Sequence, residues 1–298
     1  MRPIYKILFS FSVIMVVASI ISLATYKFNF GVDFKGGSVL ELDFVQRPAT
    51  SEVAKILNES NIASVKDTGV SPVGDSEIII KSGELSEKDH QGVLAILKKS
   101  FPNADITEKR FDSVGPLIGN ELKNKSITAI IIVLIVISLY ITFVFKKLGR
   151  VLPAWVMGVA AIIALIHDLI IPMGIFAWLG AYRGVEISAV FVAAVLTILG
   201  YSISDTVVIF DRVRENILRG GSKERFGEVV HRSIMQTLVR SLNTTFTTLL
   251  SLVAIYFFGG ESVKYFALAL ILGISLGAFS SIAVASPILI WWSRRRVG

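Results

Sequence analysis

A carboxylate, Asp205, lies inside the apolar stretch 186–216, whose sequence is EISAVFVAAVLTILGYSISDTVVIFDRVREN. The stretch is long and apolar enough to cross a bilayer, and Ser202, Ser204 and Thr206 accompany the acid. Placing a carboxylate in such a span costs about 2.5–3.5 kcal/mol, so we expect it to face a protein interior or a wet cavity. The alternative is that Asp205 reaches the headgroups, but its side chain is short and several mostly apolar residues follow it. The pattern therefore predicts a functional acid within the membrane.

A second apolar stretch, 233–258, carries polar residues along one helical face. They recur at steps of four, three, four and four: Gln236, Arg240, Asn243, Thr247 and Ser251. A polar stripe that contains an arginine does not suit a lipid-facing surface. If the helices that hold Asp205 and Arg240 are antiparallel neighbours, the two charges lie at similar depth. We therefore hypothesise, from depth alone, that they pair, with a supporting set of polar residues: Ser202, Thr206, Gln236, Asn243 and Thr247.

A third apolar stretch, 153–178, contains the adjacent pair His167 and Asp168. At 1.5 Å per residue they lie about 21 Å from the cytosolic start of their helix, whereas Asp205 lies about 8 Å from the cytosolic end of its own. Titratable groups at two depths suit a stepwise passage of protons. The alternative is a static brace of ion pairs and hydrogen bonds. Because neighbouring side chains on a helix point in different directions, we do not expect His167 and Asp168 to act as a catalytic dyad.

The sequence argues against several other kinds of chemistry. The chain has no cysteine, which excludes disulfides, thiolate metal sites and cysteine nucleophiles. It has three histidines but neither an HExxH nor a GxSxG motif, and His167 with Asp168 alone would be too few ligands for a metal. The chain has a net charge of +7, and its basic residues lie mainly beside the apolar runs. This distribution is typical of membrane topology rather than of nucleic-acid binding. We therefore predict a protein that is not an enzyme, without catalytic residues, cofactor or metal.

Membrane-spanning helices must position these residues, because 53% of the 298 residues are hydrophobic and only 18% are charged. Six apolar runs are predicted to span the bilayer: 7–24, 127–145, 153–178, 187–210, 235–258 and 265–292. The first could be a cleaved signal peptide, but five further spans follow it, so we interpret it as a retained helix. Basic residues concentrate in the short segments on one side of the membrane, among them Lys6, Lys147, Arg150 and Arg294 to Arg296. This bias places both termini in the cytosol.

Residues 26–125 form the large polar segment and are predicted to fold outside the cytosol. Their patterning indicates strand, helix, strand, strand, helix and strand at 39–44, 50–60, 63–70, 77–81, 86–100 and 104–111. This βαββαβ order is that of a ferredoxin-like unit. The predicted fold is therefore a multi-pass α-helical membrane protein with an α+β extracytoplasmic domain. Residues 1–25 form helix 1, residues 26–125 the domain, and residues 126–298 helices 2–6.

Two glycine-containing motifs flank the polar segment, FGVDFKGG at 30–37 and VGPLIGNEL at 114–122. We interpret both as tight turns with a structural role, carried by Gly31, Asp33, Gly36, Gly37, Gly115, Pro116 and Gly119. Neither motif is a phosphate loop, because the strand-to-helix context and the Lys-Ser/Thr ending are missing.

Two further patterns concern helix packing. The connection 211–234 is predicted as either an interfacial helix or a solvated linker, with an apolar stripe at Phe226, Val229, Val230 and Ile234. In the last span, small residues recur at steps of four: Gly273, Gly277, Ser281 and Ala285. Such a face lets another helix approach closely, and the sequence leaves open whether that helix belongs to this chain.

Together these motifs resemble the SecD/SecF family of accessory proteins of the bacterial Sec translocase, within the resistance–nodulation–division superfamily. The resemblance rests on the motifs at 30–37 and 114–122, on His167-Asp168, on GYSISDTVVIFDRVREN at 200–216 and on VRSLNTT at 239–245. It covers nearly the whole chain and implies six helices, a ferredoxin-like periplasmic domain and a location in the bacterial cytoplasmic (inner) membrane. It also implies an obligate SecD half that completes the membrane core.

The resemblance further implies a function driven by the proton-motive force, in which preproteins are pulled from the SecYEG channel and released. Asp205 and Arg240 occupy the family's proton-relay positions, with His167 and Asp168 as weaker candidates. Implied partners are SecD, SecYEG, YajC, SecA through the translocon, and unfolded preprotein clients. Two alternatives stay open: a proton-coupled exporter of lipids or small amphiphiles, and a passive scaffold of the translocon.

Overall fold

The computed structural model describes residues 2–66, 68–146, 153–220 and 225–297, without the side chains of 220, 261, 262 and 294–297. Some predictions therefore fall outside the described residues, namely those on Lys147, on Arg150, on the side chains of Arg294 to Arg296 and on residues 221–224. The chain divides into two compact units. One is Phe30–Ser126, and the other, the membrane unit, consists of Met1–Asn29 and Ile127–Gly298.

The described elements follow one another in a simple order. From the start of the chain to the last strand they are α1 (Pro3–Tyr26), α2 (Val32–Lys35), β1 (Gly37–Phe44), α3 (Thr50–Asn58), β2 (Gly69–Val73), β3 (Glu77–Ser82), α4 (Glu87–Ser100) and β4 (Ile106–Val114). The remaining helices are α5 (Pro116–Val144), α6 (Ala154–Arg183), α7 (Ala189–Gly220), α8 (Phe226–Phe258), α9 (Glu261–Ser280) and α10 (Ser286–Val297). A π-helical turn, Ser281–Ala285, joins α9 to α10.

Within the part of the chain that the structure describes, six helical segments are long and apolar enough to cross a membrane, which confirms the predicted multi-pass helical fold. They are α1, α5, α6, α7, α8 and the continuous run from α9 into α10. Of these, α6 is the central helix, because 61% of its most apolar stretch is buried within the protein, whereas the corresponding share is 17% for α8 and 6% for α5. The outer helices α5 and α8 therefore leave wide faces uncovered by this chain.

The polar ends of α7 and α8 are helical as well. The connection 211–234, predicted as an interfacial helix or a linker, mostly continues these two helices, with α7 ending at Gly220 and α8 beginning at Phe226. Ion pairs one turn apart support the end of α7, such as Arg214 with Asp211 at 2.7 Å. The predicted apolar stripe packs into the core of the membrane unit, where Val230 is fully buried. Charged residues thus prolong helices that apolar patterning alone would end.

Helix α1 lies parallel to α6. The hydroxyl of Ser22 donates to the carbonyl of Gly174 at 2.7 Å, and further along the tyrosine hydroxyls of Tyr26 and Tyr182 lie 3.2 Å apart. Residue numbers rise together along both helices, which defines the parallel direction. The approach is close, since a Cβ atom on Gly174 would lie 2.5 Å from the Cβ of Ser19.

The small-residue face of α9 packs against α7 of the same chain. A Cβ atom on Gly273 would lie 2.3 Å from Ile198 Cδ1, and one on Gly277 would lie 2.8 Å from the Cβ of Ser202. Only glycine permits this separation of the two backbones. The neighbour that the sequence left open is therefore within this chain.

At the end of the bundle that holds the start of α1, a polar cluster joins α1 to α8. Arg2 Nη1 lies 2.6 Å from Nε2 of His231, and the Tyr5 hydroxyl lies 2.7 Å from its Nδ1. A second Arg2 nitrogen, Nη2, donates to Glu228 at 2.8 Å. Because a guanidinium can only donate, Nε2 accepts and Nδ1–H donates to Tyr5. The cluster thus orients the ring of His231 between Arg2 and Tyr5.

The unit Phe30–Ser126 contains a four-stranded antiparallel sheet in the order β2-β3-β1-β4. With α3 and α4, this is the predicted ferredoxin-like βαββαβ arrangement. Its core combines alternate residues of β1, namely Leu40, Leu42 and Phe44, with one face of each helix. The predicted strand at 63–70 is wrong in position: residues Ala63–Val65 form a 3₁₀ turn and β2 begins at Gly69. Val65 is buried in the core from that turn, which imitates a strand residue in the sequence pattern.

The two glycine motifs pack against each other within this unit. The first is not only a turn, because Val32–Lys35 forms the short helix α2. Gly36 follows with φ 81°, and a Cβ atom there would lie 2.8 Å from Pro116 Cα. The second motif was wrongly interpreted as a turn: Pro116 begins α5, where a missing N–H costs nothing. Gly119 lies within that helix, and its Cβ would lie 3.0 Å from the Phe34 carbonyl oxygen.

Candidate functional site

The most enclosed charge-bearing group of the membrane unit is Asp168 on α6, which is fully buried. Its Oδ2 accepts hydrogen bonds from Ser202 Oγ of α7 at 2.5 Å and from Ser280 Oγ at the end of α9 at 2.7 Å. Its Oδ1 lies 2.8 Å from Nδ1 of His167. One carboxylate therefore links three helices, and the donors compensate for its removal from water.

His167 and Asp168 make contact although they are neighbours in sequence. The expectation that their side chains diverge is wrong here, because Nδ1 lies close to the backbone and the short carboxylate can turn toward it. With Nδ1–H donating to Asp168, the ring keeps its second nitrogen, Nε2, for another partner. A His–Asp pair of this kind can hold a proton on either member. The pair is thus chemically suited to relay protons, the role for which the sequence suggested it as a weaker candidate.

The second carboxylate, Asp205 of α7, is also buried and is 6% exposed. It accepts from Thr245 Oγ1 at 3.5 Å and is hydrogen-bonded to Ser241, both on α8. It follows Ser202 by three residues, or about 4.5 Å along the helix axis. Helix α7 therefore connects the surroundings of Asp168 to those of Asp205.

The side of α8 that faces α7 carries small hydroxyl residues. They recur every four residues and are all buried: Ser233, Thr237, Ser241 and Thr245. Sequence reasoning missed them because it followed the larger polar side chains. The sequence does contain a signal for them, because Ser or Thr recurs at every fourth position of this apolar span. Two of these hydroxyls, on Ser241 and Thr245, and not the predicted stripe, are the partners of Asp205.

The stripe predicted on α8 points away from the rest of this chain. Arg240, Asn243 and Thr247 are exposed, and Thr247 Oγ1 donates to the carbonyl of Asn243 on its own helix at 3.0 Å. Gln236 accepts from Arg212 Nε at 2.7 Å and so ties the polar ends of α7 and α8 together. In the described residues no ion pair joins Asp205 and Arg240, because the residue that reaches Asp205 is Ser241, one helical step of about 100° away. The hypothesis of direct pairing is not met in this structure.

Thr206 extends the hydroxyl network from α7 to the π-helical turn. Its Oγ1 lies 2.9 Å from Oγ of Ser281 and 3.4 Å from the carbonyl of Ser202. The π turn has a local cause in Pro287, which lacks an N–H and would clash with the carbonyl four residues earlier in a regular helix. The hydroxyl of Ser286 bonds the Ser281 carbonyl, five residues back, at 2.7 Å. The hydroxyl network around the two carboxylates thus contacts the π-helical, irregular segment of the last membrane span.

Other kinds of site find no support in the part of the chain that the structure describes. Within it, no group of three His, Asp or Glu side chains is arranged to hold a metal ion. The polar network of the membrane unit consists of carboxylates, one imidazole and hydroxyls, which are groups that exchange protons or accept hydrogen bonds. Its chemistry is therefore that of protonation and hydrogen bonding.

Comparison with known sequences identifies related proteins along nearly the whole chain. The family described as "Protein export membrane protein SecD/SecF, C-terminal" matches residues 93–295, and the "SecD/SecF GG Motif" matches residues 21–46. The protein translocase subunit SecF of Thermobaculum terrenum is 38% identical over 293 residues, covering 95% of this chain and 90% of that protein. SecF of Synechocystis is 37% identical over 290 residues, covering 95% and 89% respectively.

Comparison with solved structures gives the same result. A crystal structure of SecDF, a translocon-associated membrane protein from Thermus thermophilus, superposes with a TM-score of 0.81 at 32% identity. SecDF in a super-membrane-facing form superposes less closely, with a TM-score of 0.68 at the same identity. Both matches cover 98% of this chain but 38% of the SecDF chain.

Proposed function

Because the chain belongs to the SecD/SecF family of protein export membrane proteins, we propose that it is the SecF-type subunit of a SecDF complex. In this role it uses the proton-motive force to promote the translocation and release of preproteins across the bacterial cytoplasmic membrane. The observation that supports this function is the pair of buried carboxylates, Asp168 and Asp205, which are held by hydroxyls of neighbouring helices. Hydroxyls can serve either the charged or the neutral form of a carboxyl group, so each acid can take up and release a proton without losing its partners.

The energetic requirement is modest. A proton that crosses the membrane releases about 2.3 kcal/mol per 100 mV, so a few protons suffice to shift a helix bundle between two arrangements. One of the similar SecDF structures is described as a super-membrane-facing form, and it superposes on this chain less closely than the other, with a TM-score of 0.68 against 0.81. We infer that protonation of Asp205, with His167 and Asp168 as a second station, biases this chain between comparable states.

The proposed topology places both termini in the cytosol and the Phe30–Ser126 unit outside it. Arg2 and Lys6 precede the first span, and Arg212, Arg214 and Arg219 extend from the end of α7. Together they concentrate positive charge at one end of the helices.

The exposed polar face of α8 requires a protein cover that the described residues do not provide. Arg240, Asn243 and Thr247 would otherwise face hydrocarbon, where an arginine costs about 2.5–3.5 kcal/mol on insertion scales. The SecD half of the complex is the proposed cover, consistent with the chain spanning only part of the SecDF protein. In this arrangement Arg240 acts at the interface between the halves, where a movement can bring it toward or away from Asp205. SecYEG, YajC, SecA and unfolded preproteins are the proposed further partners of the assembled complex.

The test is the completion of preprotein transport into sealed vesicles, with and without a proton gradient. Asp205→Asn keeps the size and hydrogen bonding of the side chain but removes its titrating charge. Asp211→Asn is the matched control, because it removes the same charge from the exposed end of the same helix. We expect Asp205→Asn to abolish the stimulation by the gradient and Asp211→Asn to retain it, with equal co-purification of the SecD-type partner.

Two other outcomes decide between the alternatives. If Asp205→Asn retains full stimulation, the complex assembles and lipid efflux is also unchanged, the chain acts as a passive scaffold and the proposed function is wrong. If preprotein transport is unaffected but gradient-dependent efflux of a fluorescent lipid is lost, the chain is an exporter of amphiphiles.

A further inference from the structure

Two buried polar atoms of the membrane unit have no hydrogen-bond partner among the described residues: Nε2 of His167 and Oγ of Ser12. The first belongs to the ring that donates through Nδ1 to Asp168. The second lies on α1, in a side chain that is 2% exposed. Several serines in other spans of this chain donate to a carbonyl of their own helix, as Ser233 does to Val229 at 2.8 Å. Ser12 does not, so its hydroxyl is available.

The packing of α1 on α6 brings these atoms to the same level. The buried residues of α1 recur every seven residues: Tyr5, Ser12 and Ser19. Ser19 lies against Gly174 of α6, and the two helices run in parallel. Seven residues earlier on each helix, the facing residues are Ser12 and His167. A shared interval of seven is the repeat at which two packed parallel helices return to the same contact.

A third helix provides an independent indication of the same proximity. The ring centroid of Phe279 on α9 lies 6.3 Å from that of His167 and 6.1 Å from that of Phe11, the residue before Ser12. One aromatic side chain therefore touches both sides of the space between α1 and α6.

We propose that Ser12 and His167 form an internal hydration site, in which a water molecule donates to His167 Nε2 and is hydrogen-bonded to Ser12 Oγ. Buried polar groups that lack protein partners are the usual anchors of internal water, and such a water needs two to four polar neighbours. We assign water rather than a metal cation, because one imidazole nitrogen and one neutral hydroxyl are too few ligands to hold a cation. The site makes α1 part of the polar network that runs through Asp168 to Ser202 and Ser280.

The hydration site does not depend on the proposed function. If the chain carries protons, this water passes a proton to His167 from the side of α1. Only this extension rests on the proposed function.

The experiment is solid-state NMR of ¹⁵N-histidine-labelled chain, assembled with its SecD-type partner in lipid bilayers. The chain has three histidines, so loss of signals in His167→Gln identifies those of His167. In the wild type we expect magnetisation transfer from water protons to His167 Nε2. Ser12→Val, which removes the hydroxyl and fills the space, abolishes this transfer. Ser19→Ala, at the same helix interface, is the matched control and retains it.

Absence of transfer from water in the wild type overturns the proposal, as does undiminished transfer in Ser12→Val. If Ser12→Val fails to assemble, Ser12→Ala removes the hydroxyl with a smaller change of volume and is expected to shift the Nε2 resonance. An unchanged resonance in that variant also overturns the site. The vesicle transport assay on Asp205→Asn is a separate measurement, so failure of the proposed function leaves the NMR result intact.

Discussion

The contact between the two glycine motifs predicts a position-specific loss of stability. Gly36 adopts φ 81°, and a Cβ atom on it would lie 2.8 Å from Pro116 Cα and 2.9 Å from Pro116 N. With ψ 160° as well, Gly36 lies in a region of backbone conformation that is essentially restricted to glycine, where another residue costs about 1–3 kcal/mol. Because the atoms in the way belong to the backbone, relief requires a backbone shift, and overpacking of this kind adds about 1–3 kcal/mol. We expect Gly36→Ala to destabilise the Phe30–Ser126 unit by about 2–6 kcal/mol.

Gly74 provides the matched control. It lies between β2 and β3 with φ 51°, and a Cβ atom there would meet nothing within 4 Å. Gly74→Ala therefore carries only the conformational cost of about 1–2 kcal/mol. The difference between the two variants therefore contains the contact with Pro116, about 1–3 kcal/mol, in addition to any extra cost of the more restricted backbone at Gly36.

The assay is amide hydrogen exchange of β1 in the intact chain, followed by mass spectrometry. Since 1.4 kcal/mol corresponds to a factor of ten, the amides of β1 should exchange roughly 5- to 150-fold faster in Gly36→Ala than in Gly74→Ala. Equal exchange in the two variants would show that the approach of Pro116 contributes nothing, and the explanation of the double glycine would have to be abandoned.

Three further outcomes are expected. Gly277→Ala pushes α9 away from α7 and should lower gradient-dependent transport, whereas a wild-type rate would contradict the close packing of these helices. Burial, and after it the charge of Glu77, raises the pKa of Glu41, so the folded unit loses stability as the pH rises from the ordinary glutamate value toward the raised one. Glu41→Gln should therefore slow exchange of β1 at pH 7 and have no effect below about pH 4; an equal effect at both pH values would refute this. Tyr5→Phe removes the partner of His231 Nδ1 and should accelerate exchange at the start of α1, and unchanged exchange would show that this hydrogen bond does not hold the helix end.

Much of the fold follows from patterns that are local in the chain. Six apolar runs predict six membrane helices because hydrocarbon admits few alternatives. The order of strands and helices in 26–125 predicts the ferredoxin-like unit, since that order has few compact antiparallel solutions. The displaced strand β2 shows the limit of this reasoning, because Val65 is buried from a 3₁₀ turn and mimics strand alternation.

The rotation of a membrane helix about its own axis is harder to predict. On α8, the larger polar residues such as Arg240 suggested the inward face, but the structure buries Ser241 and Thr245 instead. Both faces are polar, and which of them meets α7 depends on close packing with small side chains rather than on polarity. The direct contact of His167 with Asp168 was missed for a similar reason, because it depends on side-chain rotation and not on helix periodicity.

The parallel packing of α1 on α6 has a consequence for the biosynthesis of the chain. The bond from Ser22 to Gly174 joins residues that are 152 positions apart. At 5–20 residues per second, a ribosome needs about 8–30 s to make the second residue after the first. During that interval α1 resides in the bilayer without its main partner, while the Phe30–Ser126 unit and α5 emerge. The mean hydropathy of α1, 2.6, fits this solitary period, since lipid alone can solvate the helix until α6 arrives.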